Sequence, residues 1–293
     1  MNYEAPSVTA PSISSSAMLA ELSISVWTGR KLDKAATRQT TDANNAESGI
    51  GSFHKKLLGD CPELVAVAKF AGNVRSAHYH STMPWSDLGM RLLPTTMYMD
   101  YMREITAQEQ EFQRLVNVFL QAYSWAQMQA QVKLGTLYNP DEYPTVEALT
   151  HKFKFRHAQM PVPDAGDFRL DIGAEASKAV SDQYAKHYQS MLNDAMGDVW
   201  QRTYDALSKM SERLNYESKD DKKVFRDSLV DNVHEMVGLL SKFNVTGDAR
   251  MESMRVQLDN VMSGVSADGL RESDAHRKDV KQKVDAVLST MKW

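Results

Sequence analysis

The sequence predicts an α+β protein that is mainly helical, in which a bundle of long helices carries a small antiparallel β-sheet. Segments 95–137 and 174–214 repeat apolar side chains at helical spacing over a length well above that of an average helix. Three shorter segments alternate apolar and polar residues, which is the period of a β-strand. Together these patterns favour long helices combined with a hairpin and an N-terminal strand.

The strands are predicted from alternation. Residues Leu22–Val26 place apolar side chains at every second position, and residues 151–157 (HKFKFRH) and 167–172 (DFRLDI) repeat that pattern. The loop PVPDAG between the last two segments is typical of a turn, so they form an inserted β-hairpin near 151–172. We expect the N-terminal strand to join this hairpin, because two isolated strands are only marginally stable.

The helices are predicted from apolar periodicity and from prolines and glycines that end it. One helix starts at Pro62, where proline is tolerated in the first turn. The other helices are expected at about Thr95–Leu137, Ala174–Leu214, Val224–Phe243, Ala249–Gly264 and Asp268–Lys292.

The segments outside these elements complete the predicted organisation. Met1–Ser16 is rich in serine and proline and is predicted to be a flexible arm, while residues 17–293 are expected to form one domain. The polar residues 36–52 are predicted to be a loop, and Met83–Pro94 an ordered loop or a short helix. The Arg30–Lys34 segment is predicted to be a basic turn.

Composition limits the compartment and the class of protein. The formal net charge of −4 argues against histone-like coating of DNA but leaves room for a local basic surface. The single cysteine, Cys61, cannot form an intramolecular disulfide, and we expect a cytoplasmic protein. The sequence contains no apolar run of about 18 residues, so no membrane association is expected.

Catalytic and cofactor motifs are missing from the sequence. It contains no phosphate-binding glycine loop, no CxxC pair and no serine nucleophile elbow, so we predict a protein that is not an enzyme and holds no cofactor or metal. A metal-dependent enzyme with ligands from His54, His78 and His80 is left as a rival. For His78 and His80, the simpler interpretation is that they belong to a polar helix end.

The HKFKFRH segment is the most informative local pattern. On a strand, Lys152, Lys154 and Arg156 project from one face, and Arg169 of the predicted partner strand extends it. Cations two residues apart lie about 6.5–7 Å apart, close to the phosphate spacing of an extended nucleic-acid strand. The alternative is that the intervening phenylalanines pack into the core while the cations are merely solvated.

A second basic cluster surrounds Trp27. Its cations are Arg30, Lys31, Lys34 and Arg38, with Asp33 as the one acid among them, and a weaker pair follows at Lys55 and Lys56. An exposed indole beside cations suits the stacking of a nucleic-acid base, whereas a buried indole would only anchor the sheet. Both interpretations of Trp27 remain open at this point.

Several longer motifs carry a resemblance to a family of unknown function found in bacterial viruses and mobile elements. They are VWTGRKLDK (Val26–Lys34), Ala71–Pro94, YPTVEALTHKFKF (Tyr143–Phe155), MPVPDAGDFRLDIG (Met160–Gly173) and Val224–Asp248. The chain is also similar to the single-stranded-DNA-binding RNA polymerase cofactor of N4-like phages. That resemblance implies binding of melted DNA and recruitment of a phage RNA polymerase, in the cytoplasm of the host, and it assigns no residue.

The predicted function is therefore non-catalytic binding of single-stranded DNA in phage transcription or replication. The broad apolar and methionine-containing faces of the long helices suggest a homo-oligomer. The rival from another class is a helical scaffold or adaptor for a phage ATPase or polymerase that makes no direct contact with DNA.

Overall fold

The computed structural model describes residues 13–163, 174–216 and 226–291, and it confirms a mainly helical α+β fold. The described residues form nine α-helices and two small sheets. The helices are α1 Lys34–Ala43, α2 Pro62–His80, α3 Tyr98–Leu134, α4 Val146–Thr150, α5 Ala174–Leu214, α6 Ser228–Phe243, α7 Ala249–Met262, α8 Ala267–Glu272 and α9 Asp274–Thr290. The strands are β1 Ala17–Ser25, β2 Arg30–Leu32, β3 His54–Lys56, β4 Met83–Pro84, β5 Arg91–Pro94 and β6 Lys154–Pro161.

The larger sheet has the strand order β4-β5-β1-β6, and the smaller one pairs β2 with β3. The predicted N-terminal strand is therefore present as β1, and its neighbour β6 contains most of the HKFKFRH segment. The predicted second strand of the hairpin, residues 167–172, lies outside the described residues. Within the described part of the chain, β6 forms an edge of its sheet.

The chain divides into two compact units. The first contains residues 13–20, 81–98 and the described residues from 159 onward, and the second contains residues 21–80 and 99–158. The expectation of one domain over 17–293 stays a prediction. None of the helices that the structure describes is long and apolar enough to cross a membrane.

The first unit is built on the long helix α5, which packs against α6, α9 and β4. Its strands β4 and β5 are antiparallel, and β5 pairs with the start of β1 from Ala17 opposite Pro94 to Ala20 opposite Arg91. At its N-terminal end, a single 3-10 turn over Ile13–Ser15 buries the side chain of Ile13. The rest of the predicted flexible arm lies outside the described residues.

The second unit has its core between α2 and α3. The buried side chains of this core are Leu58, Cys61, Leu64, Val67, Ala71, Phe112, Val116, Phe119, Tyr123, Leu149 and Phe153. On α2 and α3 they recur three or four residues apart, so each helix presents one continuous apolar face to the other elements. Ile24, Val26 and Trp27 at the end of β1 pack against this core, which positions them beside α2 and α3.

The prediction of a loop over residues 36–52 is wrong for its first half, which belongs to α1. The Asp33 carboxylate caps this helix by accepting a hydrogen bond from the Ala36 amide at 3.0 Å. The helix buries no side chain, so its sequence lacks the apolar repeat from which the other helices were predicted. The Thr37 hydroxyl accepts a hydrogen bond from the Phe53 amide at 2.9 Å and so holds the chain that enters β3.

Three further predictions are corrected. Arg30–Leu32 is a strand rather than a turn, because it pairs with β3 at a distance in sequence that local patterns do not reveal. Met83–Pro94 contains β4 and β5 around a turn at Gly89, whose φ of 95° lies in the region that glycine favours. The predicted helix Asp268–Lys292 is divided at Ser273, which is extended and caps α9 with its side chain.

Candidate nucleic-acid interface

The β2–β3 hairpin brings two of the predicted basic clusters together. Its antiparallel register places Arg30 opposite Lys56 and Lys31 opposite Lys55. Arg30, Lys31 and Lys56 are exposed. Arg30 and Lys31 form no ion pair with any described residue, and Lys56 lies 3.2 Å from the exposed carboxylate of Asp60. Arg30 and Lys56, from two distant stretches of the sequence, thus share one face of the hairpin and form a basic surface, while Lys31 projects from the other face.

A groove of about 710 Å³ opens beside this basic surface, and all of its lining residues belong to the second unit. Its cations are Arg30 and Lys56 of the hairpin and Arg75 of α2, and Asp60 is the single carboxylate among the described residues that line it. Its apolar wall is formed by Ile24, Val26, Trp27, Leu58, Leu64, Val65 and Ala68. The groove therefore combines an excess of positive charge with an apolar wall. Its volume lies within the range of small-ligand sites.

The Trp27 ring combines features of both interpretations, the buried anchor and the exposed stacking surface. Its ring is partly buried and lies 6.2 Å from the Phe119 ring and 6.0 Å from the Tyr123 ring, in an edge-to-face arrangement with the latter. The indole also lines the groove. The Trp27 ring is thus anchored against α3 while part of it stays accessible from the groove.

Gly29 holds the chain close to this indole. Its φ of 61° is strained for any residue with a side chain, and a Cβ atom there would meet Leu64 Cδ2 at 2.9 Å. The Gly29 carbonyl accepts a hydrogen bond from the Leu57 amide at 2.7 Å, which ties the segment to the end of the hairpin. The left-handed turn at Gly29 therefore sets the position of Trp27 relative to Arg30.

Arg75 is a functional candidate that the sequence did not indicate. Its guanidinium donates a hydrogen bond to the Ile24 carbonyl at 2.7 Å, so one of its nitrogens is fixed at the edge of β1. A guanidinium has five N–H donors, so this single bond leaves capacity for an anion. Nothing in the α2 sequence distinguishes Arg75 from an ordinary surface cation. Only the packing of α2 beside β1 reveals its place in the groove.

Lys55, by contrast, is held inside the protein. Its side-chain nitrogen lies 3.0 Å from Asp33 Oδ2 and 2.8 Å from Glu142 Oε2, and it donates a hydrogen bond to the Leu137 carbonyl at 2.7 Å. Burial alone would lower the pKa of Lys55, but the carboxylates of Glu142 and Asp33 outweigh that effect and raise it above 10.5. We therefore assign Lys55 to the support of the hairpin and leave it out of the interface.

The cations of the HKFKFRH segment lie on β6 or directly before it. Lys152, Lys154 and Arg156 are exposed and form no ion pair with a described residue, while the two phenylalanines between them pack inward. The Phe153 ring lies 5.5 Å from Phe119, and the Phe155 ring lies 5.6 Å from Phe112. The predicted alternation is therefore present, although the strand itself begins only at Lys154. This packing also agrees with the alternative interpretation, in which the phenylalanines belong to the core and the cations are merely solvated.

Acidic neighbours weaken this second basic surface. Arg156 lines a hollow that also contains Glu21 and Glu109, and the His157 ring lies 3.7 Å from the Glu109 carboxylate. Two carboxylates beside one guanidinium reduce the local attraction for phosphate. Of the described residues that line the Trp27 groove, none comes from β6. The cations of β6 therefore do not take part in the groove, and we treat the groove as the stronger candidate.

The remaining predicted residues have different positions. Lys34 is exposed at the first turn of α1, close in sequence to the hairpin. Arg169 lies outside the described residues. His78 is buried and its Nδ1 forms a 2.8 Å hydrogen bond with the Tyr101 hydroxyl, whereas His54 and His80 are exposed. Within the described chain, no group of three or more His, Cys, Asp or Glu side chains is placed to hold a metal ion.

Cys61 lies in the groove wall but is not arranged as a nucleophile. Burial, and after it the Glu63 side chain, raises the pKa of this thiol above 9.0, while amide hydrogen bonds oppose the shift only in part. The thiol lies 3.3 Å from a Glu63 carboxylate oxygen. A protonated, buried thiol contributes apolar surface to the groove.

The groove therefore offers cations that can contact phosphate and a partly accessible aromatic ring within an apolar wall. These groups support binding of a ligand that has both negative charge and flat apolar rings. Comparison of the chain with protein-family models, curated proteins and solved structures finds no match.

Proposed function

We propose that this protein binds single-stranded DNA through the β2–β3 hairpin and the groove beside Trp27, without catalysing a reaction. The observation that carries the proposal is the register that places Arg30 opposite Lys56 next to that groove. Phosphates would contact Arg30, Lys56 and Arg75, and the nearby cations Lys31 and Lys34 would raise the local positive potential. This division follows the chemistry of the groups, with cations for the backbone and apolar surface for the bases.

A single strand fits this site better than a duplex does. The Trp27 ring is partly buried and lines a recess, so a base must leave its stack to contact it. Bases of a single strand can turn outward at little cost, whereas a duplex must first be melted. Stacking of one base against an aromatic side chain contributes about 1–3 kcal/mol.

The resemblance to the RNA polymerase cofactor of N4-like phages supports a role in phage transcription, with RNA polymerase as a partner, or in replication. In that role the protein would hold melted DNA while the polymerase engages it. The groove supplies a physical basis for the DNA contact, and the contact with polymerase rests on the resemblance alone.

Fluorescence anisotropy of labelled oligo-dT, and of a duplex of matched length, tests the proposal. Affinity for oligo-dT should exceed that for the duplex and should fall steeply between 50 and 200 mM salt. Each phosphate contact on a single strand contributes a slope of about −0.7 in log K against log salt, so the double variant R30Q/K56Q should flatten the slope by about 1.4.

The matched control is the double variant K154Q/R156Q, which removes the same charge from β6. It should retain most of the affinity and nearly the whole salt slope. No binding at low salt would contradict the proposal and favour the helical adaptor without DNA contact. A loss of affinity confined to the β6 variant would refute the assignment to the groove.

A further inference from the structure

Helix α3 has a second apolar face opposite the one that it buries. Its buried side chains include Phe112, Val116, Phe119 and Tyr123, which recur three or four residues apart. Val118, Trp125 and Val132 follow one another at intervals of seven residues, and Met128 lies beside them. At about 100° per residue, these four side chains lie on the side of the helix away from the core. Val118, Trp125, Met128 and Val132 are 41%, 63%, 58% and 82% exposed, respectively.

The same part of α3 carries no formal charge. Between Arg114 and Lys133 the helix contains no Asp, Glu, Lys or Arg, and its polar residues are asparagine, glutamine, serine and tyrosine. A solvent-facing helix surface normally carries charged side chains. Depletion of charge together with Trp and Met is typical of the centre of a protein–protein interface.

We infer that this face, the α3 stripe (Val118, Trp125, Met128 and Val132), is where a second copy of the chain docks. An uncharged surface meets an identical surface without repulsion, which a charged stripe could not do. At these exposed fractions the four side chains expose on the order of 400–500 Å² of apolar surface. That is enough for the central part of a standard interface, which buries about 800 Å² per partner.

The arrangement of the residues favours an antiparallel pair of helices. A two-fold axis near Trp125 places Val118 of one copy opposite Val132 of the other and brings the two indoles together. A parallel pair would instead align Arg114 with Arg114 and Lys133 with Lys133 at the two ends of the stripe. The two-fold pairing buries the apolar side chains and avoids both like-charge contacts.

Sedimentation velocity of the full chain tests the inference across about 1–100 μM. We expect a dimer whose dissociation constant rises at least 100-fold in W125E, because a central tryptophan is lost from both partners at once. The matched control L88E introduces the same charge at an exposed leucine of the β4–β5 turn and should leave the dimer unchanged. Circular dichroism establishes that each variant keeps its helices.

Disulfide cross-linking tests the orientation. The double variant V118C/V132C should form a covalent dimer on mild oxidation. The thiol at position 118 of one copy faces the thiol at position 132 of the other across the two-fold axis. The single variant V118C should not cross-link, since its two thiols lie about 21 Å apart in an antiparallel pair. The native Cys61 is buried, so the unmodified chain is a suitable blank.

A chain that stays monomeric throughout, or a dimer that W125E leaves intact, would overturn the inference. Cross-linking of V118C alone would overturn the antiparallel arrangement. The inference does not depend on DNA binding. Oligo-dT affinity per protomer, measured on W125E, reports on the groove separately, so failure of either proposal is recognised without the other.

Discussion

Replacing Lys55 with methionine tests whether this residue supports the hairpin rather than binding DNA. Lys55 is 5% exposed, and its two carboxylate partners, Asp33 and Glu142, have side chains that are 13% and 17% exposed. Methionine keeps the length and apolar stem of lysine but removes the charge, which leaves two carboxylates facing an apolar group. Removing one partner of a buried ion pair costs about 3–5 kcal/mol. Because both carboxylates are partly exposed, we expect K55M to lower the free energy of unfolding by an amount at the lower end of this range, about 3 kcal/mol.

Urea denaturation followed by circular dichroism measures this loss. A decrease of that size should lower the midpoint by on the order of 1 M. The matched control is K31M, because Lys31 lies opposite Lys55 in the hairpin but is exposed and has no carboxylate partner among the described residues. Its effect on stability should stay below about 0.5 kcal/mol. Equal midpoints for K55M and K31M would refute the structural role of Lys55.

The pH dependence of the same variant gives a second test. The amide of Ala36, and then Lys55, hold the pKa of Asp33 below 3.8 in the folded protein. The contribution of Asp33 to the free energy of unfolding is therefore present above pH 3.8 and is lost as pH falls through the folded pKa. The raised pKa of Lys55 acts in the opposite sense, since its contribution is present below 10.5 and is lost as pH rises through the folded value. The difference in the free energy of unfolding between wild type and K55M should therefore be largest near neutral pH and should become smaller at acidic and at alkaline pH. A constant difference from pH 3 to pH 7 would contradict this coupling.

Three further predictions concern the core and the groove. F153A should destabilise the protein by about 3–5 kcal/mol in urea denaturation, because Phe153 is buried against Phe119, and a neutral effect would show that the segment before β6 is not packed there. G29A should cost about 1–2 kcal/mol and weaken oligo-dT binding, since the strained φ and the contact with Leu64 displace the chain next to Trp27. Cys61 should react slowly with a thiol reagent in the native protein at pH 8 and rapidly in urea, because burial raises its pKa and restricts access. Rapid native labelling would contradict its placement in the core.

Much of the fold could be predicted from local patterns. Helix α5 has the bounds that apolar periodicity predicted, and the break before α7 follows from Gly247 and the capping carboxylate of Asp248. Helix α1 was missed because it buries nothing, and β2, β4 and β5 were missed because strands of two to four residues are too short to show alternation.

The candidate site was predictable only in part. The sequence indicated Trp27 and the cations around it, but the pairing of Arg30 with Lys56 depends on the register of two distant segments. The same register puts Lys55 beside Asp33 and Glu142, and no count of nearby charges in the sequence could separate it from its exposed neighbour Lys56. Arg75 enters the groove only because α2 packs beside the end of β1.

What the sequence by itself determined is which residues prefer to be helical, which alternate, and which side chains are apolar, since these follow from spacing along a single chain. The tertiary structure decided which cations share a surface, which are neutralised by carboxylates, and which apolar faces remain uncovered. Those outcomes depend on contacts between residues far apart in sequence. A lysine is attracted to phosphate or to a buried acid by the same charge, so its surroundings decide between the two roles.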